Sequence, residues 1–326
     1  MASKLAVVFG GSGFVGRNVV RELAKRGWRV RVAVRRPHHA QFLRTMGAVG
    51  QIQLAQANVR HRASVDEAIK GADAVVNLVG ILAPTGAQKF EAVQSGGAAT
   101  VADAAAKAGA DHFVHVSAIG ADPESRSVYA RTKAEGEAAV RRAMPDAAIL
   151  RPSIVFGPED QFFNRFAEMA TMSPALPLIG GGKTRFQPVY VDDVADAVCA
   201  ALESPEARGR TFELGGPRIY TFKQLLQMML AEIGRTRILA PIPFVIAPLV
   251  GLVGELAGVL PFLEAPITRD QIRLLKRDNV VGESGEADIG ALSDLGIEPK
   301  FVEAILRDYM VRFRKYGQFT EEITSH

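Results

Sequence analysis

The sequence predicts a doubly wound α/β fold, a mostly parallel sheet with helices on both faces, joined to a smaller and mostly helical second domain. Three observations predict it. Short apolar, β-branched runs alternate with longer amphipathic stretches over the first half of the chain. A glycine-rich turn follows the first of those runs, and the alternation fades after Pro158, where prolines and glycines cluster through 174–182. Strands separated by helices imply right-handed crossovers, a sheet buried on both faces, and a ligand crevice at the carboxyl ends of the strands.

In order along the chain, strands are expected at Leu5–Phe9, Arg29–Val34, Gln51–Ala55, Ala74–Leu78, His112–Ser117 and Ala148–Leu150. Helical periodicity is clearest over Phe14–Lys25, Ser64–Ile69, Phe90–Ala108 and Val128–Ala143. The first domain is expected to span 1–158, with segments near 186–200 returning to it, and the second 159–326.

A chain of 326 residues with 48% hydrophobic content can bury a substantial core. Its one cysteine, Cys199, excludes a disulfide framework and leaves too few thiolates for a structural metal site, so no metal is expected. A net charge of +4 without basic runs interleaved with aromatics argues against nucleic acid as a partner. The apolar run Leu5–Phe9 is too short for a signal core and leads straight into the glycine turn, so no targeting segment is read there.

The turn is Gly10-Gly11-Ser12-Gly13-Phe14-Val15-Gly16, a G-x-x-G-x-x-G between strand and helix. In such a turn the first glycine makes the bend, the second lets a pyrophosphate approach the backbone, and the third lets helix and strand pack closely. The helix N-terminus adds free N–H groups and a positive dipole end. This is the dinucleotide fingerprint of the Rossmann type. Where an NAD site would place a carboxylate after the second strand, the chain has Arg35 and Arg36, whose planar guanidiniums suit a 2'-phosphate. NADP(H) is therefore the expected cofactor.

A second constellation carries chemistry. Tyr129 and Lys133 form a Y-x-x-x-K on one face of the predicted Val128–Ala143 helix, and Ser117 closes the preceding strand. A phenol beside an ammonium exchanges a proton with a substrate oxygen, while a serine hydroxyl orients the carbonyl.

With these motifs the chain resembles the extended or atypical branch of the short-chain dehydrogenase/reductase superfamily. The resemblance implies further cofactor contacts: Asn58 and Val59 at the adenine, with Asn58 in place of the usual Asp; Leu78, Val79 and Gly80 under the ribose; and Pro152, Ser153 and Ile154, after Arg151, beside the nicotinamide. Gln94 stands where catalytic members commonly carry an Asn, a departure that leans against turnover.

Nearly the whole chain further resembles the nucleotide-binding accessory subunits of respiratory complex I (NADH:ubiquinone oxidoreductase) and their alphaproteobacterial relatives. The stretches that carry this are 157–163, 187–195, 212–217, 220–222, 268–280 and 295–299, Thr268-Arg-Asp-Gln271 and Asp278-Asn279-Val280 being the most telling. It implies NADPH held as a structural cofactor without turnover, core and membrane subunits of complex I as partners, and a peripheral position on the cytoplasmic face of the bacterial inner membrane. One feature of the residues agrees. From Ile238 to Leu263 the only charge is Glu255, yet four prolines and three glycines interrupt the run too often for a span. Two readings of the run are open, a core helix of the second domain or a lipid- or membrane-subunit-contacting segment that extends over 238–280 and takes in Arg269, Arg273, Lys276 and Arg277 after the run. Residues 301–316 read as an amphipathic helix, with Arg307, Arg312, Arg314 and Lys315 near one side.

Two other readings stand beside the structural one. The first is an active NADPH-dependent reductase, epimerase or dehydratase using Tyr129, Lys133 and Ser117. The second is a sensor whose affinity for a partner follows NADPH occupancy.

Overall fold

The computed structural model of the protein describes residues 4–247, 249, 268–283, 285, 286, 288–315 and 317. They divide into two compact units, one of 1–152, 191–214 and 284–298, the other of 153–190, 215–283 and 299–326.

The first unit is built on an eight-stranded sheet. Its strands are β1 (Leu5–Phe9), β2 (Arg29–Val34), β3 (Ile52–Gln56), β4 (Ala74–Asn77), β5 (His112–Val116), β6 (Ala148–Pro152), and two supplied from later in the chain, Thr211–Leu214 and Ile289–Gly290. The order is β3-β2-β1-β4-β5-β6, then Thr211–Leu214 and Ile289–Gly290, and every pairing is parallel. The strand order reverses at β1, which pairs with β2 on one side and β4 on the other, so the crevice opens beyond the ends of β1 and β4. β1 and β4 are buried at every residue, as strands covered by helices on both faces must be. The helices are α1 (Phe14–Lys25), α2 (Arg62–Ile69), α3 (Gly96–Ala108), α4 (Val128–Ala143) and, from the later segment, Val191–Glu203. Small residues let α3 pack closely: Val101, Ala102, Ala104 and Ala105 join Val7, Phe9, Val75 and Phe113 in one core cluster.

The expected helix from Phe90 begins differently. A π-helical turn, Glu91–Ser95, precedes α3 and turns Gln94 inward, where its amide donates to the Ile81 carbonyl (2.8 Å) and accepts from Thr132 Oγ1 (2.7 Å). Such wide turns are tolerated where a side chain gains specific partners.

The second unit centres on the aromatic cluster Phe156, Phe163, Phe166, Phe186 and Phe222. Around it lie helices Phe163–Met172, Phe222–Glu232, Arg269–Leu274 and Val302–Met310, and three two-stranded sheets. The expected helix 301–316 is helical over Val302–Met310 and continues as one 3-10 turn, Val311–Phe313. Of the apolar stretch 238–263, residues Ile238–Ile242 form an edge strand paired in parallel with Ala175–Ile179, which corrects the core-helix expectation for those residues, since Pro241 and Pro243 exclude a helix there. Most of the remainder, 248 and 250–263, lies outside the described residues. No helix among the described residues is long and apolar enough to cross a membrane.

Candidate functional site

The first unit places the glycine turn at the reversal point. Gly10 adopts φ +80°, and a Cβ there would stand 3.1 Å from the Leu78 carbonyl carbon, so the bend lies directly against Leu78 and Val79 at the end of β4. Gly16 has no room at all: a Cβ would meet Gly10 O at 2.2 Å and Gly11 Cα at 2.6 Å. Gly13 N–H donates to Gly10 O (3.0 Å), which closes the turn, and no side chain caps the N-terminus of α1. The first N–H groups of α1 are left for an anion. Ser12, Gly13, Phe14 and Val15 are exposed or half-buried, whereas Gly11 and Gly16 are buried beneath them. Substituting Gly16→Ala is expected to cost about 1–3 kcal/mol by overpacking and to abolish dinucleotide binding; retention of nucleotide by the purified variant, read by absorbance, would contradict the assignment.

Arg35 and Arg36 leave β2 exposed, with no side-chain hydrogen bond or ion pair among the described residues. Arg17, which the sequence reading did not single out, lies against the turn: its Nη2 donates to Ser12 O (3.4 Å) and its guanidinium covers the Phe42 ring at 5.0 Å. Its position directly after Gly16 was the available signal. The Asn58 carboxamide oxygen is engaged locally by Arg60 N–H (3.1 Å), and Val59 is buried against Gly97 of α3. Val79 N–H donates to Asn77 Oδ1 (3.2 Å), fixing the Leu78-Val79-Gly80 segment beside the turn. Pro152 ends β6 and is buried. Ser153 and Ile154 fall in the second unit, where Ser153 Oγ donates to Asn279 Oδ1 (2.6 Å) and Ile154 packs on the aromatic core.

Ser117, Tyr129 and Lys133 also lie in the first unit. Ser127 caps α4 through its hydroxyl, which accepts Ala130 N–H (3.3 Å), and so sets the start of the helix at Val128, one residue before Tyr129. Lys133 is buried and donates to the Val116 carbonyl (3.2 Å), with Nζ 6.0 Å from the centre of the Tyr129 ring. Phe90 meets that ring edge to face at 5.9 Å. Ser117 Oγ is buried with no hydrogen-bond partner among the described residues. Burial lowers the Lys133 ammonium to about 8 and raises the Tyr129 phenol to about 12. At neutral pH the phenol therefore keeps its proton, the state of a donor to a carbonyl oxygen rather than of a base.

His115, also missed, lies buried two residues before Ser117. Its Nδ1 accepts from the Asn77 amide (3.2 Å) and its Nε2 has no partner among the described residues. Burial, and then the Lys133 charge, lower its pKa to about 3. Its folded value lies below the unfolded value of roughly 6.5, so its stability contribution is full above that pH and is lost as pH falls toward 3. Between pH 6.5 and pH 5 the loss is expected to be about 2 kcal/mol. Denaturation curves of wild type and His115→Gln over this range should converge as pH falls; parallel curves would refute the assignment.

Behind the triad, Arg151 of β6 forms a buried two-pronged pair with Glu137 of α4, Nε to Oε1 at 2.9 Å and Nη2 to Oε2 at 2.7 Å. Glu137 lies one turn beyond Lys133, so the pair anchors the helix that carries Tyr129 and Lys133.

Comparison with known proteins agrees with this geometry. Residues 6–215 match the NAD dependent epimerase/dehydratase family. The chain is 35% identical over 321 residues to "NADH dehydrogenase [ubiquinone] 1 alpha subcomplex subunit 9, mitochondrial" of Mus musculus, covering 98% of this chain and 83% of that protein. It is 32% identical over 315 residues to the "NADH-ubiquinone oxidoreductase 40 kDa subunit, mitochondrial" of Neurospora crassa, covering 96% of this chain and 80% of that one. A "Ceramide reductase" of Caulobacter vibrioides is 34% identical over 204 residues, covering 63% of this chain and 62% of that enzyme. Among solved structures, a dTDP-glucose 4,6-dehydratase from Streptomyces venezuelae with NAD bound shares the fold at a TM-score of 0.70 and 19% identity, covering 98% of each chain. With a glycine turn at the reversal point of a parallel sheet and homology along nearly its full length, this chain belongs to the NAD dependent epimerase/dehydratase family, among the relatives of the complex I subunits named above.

Proposed function

We propose that the protein is an accessory subunit of respiratory complex I that holds NADPH as a structural cofactor, at the cytoplasmic face of the bacterial inner membrane, without turnover. Homology to complex I subunits over 98% of the chain carries this reading. The residues fit the cofactor: the uncapped α1 N-terminus and Gly10–Gly16 would take the pyrophosphate, the exposed Arg35 and Arg36 the 2'-phosphate, and Lys133 and Tyr129 the ribose hydroxyls. A ligand that binds only the folded chain stabilises it by mass action, about 2.7 kcal/mol at a hundredfold excess over Kd. Segment 238–280 is then the part that meets lipid or membrane subunits. The test is purification from detergent-solubilised membranes: complex I subunits and NADPH are expected in the same particle, and a chain recovered free of them would overturn the reading.

A second reading, an NADPH-dependent reductase, is favoured by the complete Ser117, Tyr129 and Lys133 set with its orphan serine hydroxyl, and by the ceramide reductase relative. The nicotinamide, when bound, supplies a hydride. Ser117 would orient the substrate carbonyl, Tyr129 would deliver a proton to its oxygen, and Lys133 would hold the ribose while its charge eases that transfer. Carbonyl-dependent NADPH oxidation that Tyr129→Phe lowers by on the order of a hundredfold or more would establish this reading. No oxidation by the wild-type protein would remove it.

A further inference from the structure

A cleft of about 600 Å³ opens on the second unit, remote in sequence from every residue of the dinucleotide motif. Helix Phe222–Glu232 and the connection to the edge strand Ile238–Ile242 line it. Three cations, Lys223, Arg235 and Arg237, face it, and no Asp or Glu is among its lining residues. The cations are held differently. Arg237 donates Nε to the Ala170 carbonyl (2.7 Å) and Nη1 to the Thr236 carbonyl (2.8 Å), while Arg235 donates Nε to the Phe313 carbonyl (3.2 Å). Arg237 is thus anchored through two nitrogens and Arg235 through one, and each guanidinium has N–H groups to spare. Lys223 is exposed with no partner among the described residues. Gln227 and Thr236 add polar groups, and the apolar part of the wall comes chiefly from Leu178, Leu230 and Leu239.

An apolar rim continues from it. Gly180, next to Gly181 of the cleft, lies against the Phe244 ring, where a Cβ would come within 2.4 Å. The turn containing Phe244 leads to Val245, Ile246 and Leu249, which are 90%, 52% and 63% exposed. A basic, acid-free cleft on a leucine wall beside an exposed apolar turn matches a ligand with a phosphate head and a hydrocarbon tail.

We propose that this cleft binds the headgroup of an anionic membrane phospholipid, Lys223, Arg235 and Arg237 taking the phosphate and Leu178, Leu230 and Leu239 the start of the acyl chain. The proposal deepens the membrane-contact part of the reading above but does not need complex I or NADPH. Flotation of the full chain with phosphatidylcholine vesicles, with and without phosphatidylglycerol, tests it. Binding should rise with phosphatidylglycerol, and Lys223→Gln/Arg235→Gln/Arg237→Gln should lose that rise by on the order of a hundredfold, roughly fivefold per cation. Lys223→Glu, which breaks no hydrogen bond or ion pair among the described residues, should lose on the order of tenfold or more. The charge-matched variant Arg44→Gln/Lys89→Gln/Lys107→Gln, with all three sites exposed in the first unit, should retain it. Equal losses in both triple variants would reduce the effect to diffuse charge and overturn the proposal. So would an unchanged Lys223→Glu, or binding of inorganic phosphate by calorimetry without any preference among vesicles.

Discussion

Glu137→Ala is expected to destabilise the protein by about 3–5 kcal/mol, because it strands the Arg151 guanidinium in the interior. Both side chains of the pair are only 8% exposed. Arg151 keeps one other carboxylate, Glu286, at 2.8 Å, but that partner is half exposed and replaces neither buried bond. The reverse comparison is equally diagnostic. Glu137→Leu/Arg151→Met removes both charges together and should recover most of the loss, since the desolvation cost of a buried pair nearly cancels its attraction. Urea midpoints at constant slope measure both variants. A Glu137→Ala loss under 1 kcal/mol would show that water reaches Arg151 and that the pair does not anchor α4.

Arg35→Ala/Arg36→Ala is expected to weaken NADPH binding by about two to four orders of magnitude, leaving NADH binding nearly unchanged. Each charge-assisted hydrogen bond to a phosphate contributes about 1.5–3 kcal/mol, and only NADPH carries the 2'-phosphate they would meet. The shift in preference separates this role from general steering, which would lower both affinities and fade with salt. Calorimetry with each nucleotide at two salt concentrations decides it. Equal losses for NADH and NADPH would remove Arg35 and Arg36 from the specificity site.

Much of the fold was legible because local patterns and global burial agree there. β1, β2, α1 and α4 lie over the residues their patterns predict: β1 is apolar throughout, β2 buries Val30, Val32, Ala33 and Val34, and each helix carries an apolar stripe. The glycine motif was legible for a steric reason, as Gly10 and Gly16 occupy positions that backbone atoms already fill around them. Thr268 and Gln271, which in the sequence carry a resemblance, prove to be a helix cap: the Thr268 hydroxyl accepts Gln271 N–H (3.2 Å) and Gln271 Oε1 accepts Thr268 N–H (3.1 Å). Asp278 and Asn279 likewise clasp the second unit, taking Arg185 N–H (2.7 Å) and Ser153 Oγ (2.6 Å).

Taken alone, the amino-acid sequence determined the strands and helices of the sheet unit, the tight glycine turn and the placing of Tyr129 and Lys133 one turn apart on α4, because each depends on spacing within a single turn, strand or helix. Tertiary structure alone decided what surrounds them. The Arg151–Glu137 pair, buried His115, the inward Gln94 and the basic cleft at Lys223 join residues from separate elements, and burial sets their energies. Depth, desolvation and the identity of a facing side chain arise only when distant segments meet, so no local pattern of residues can encode them.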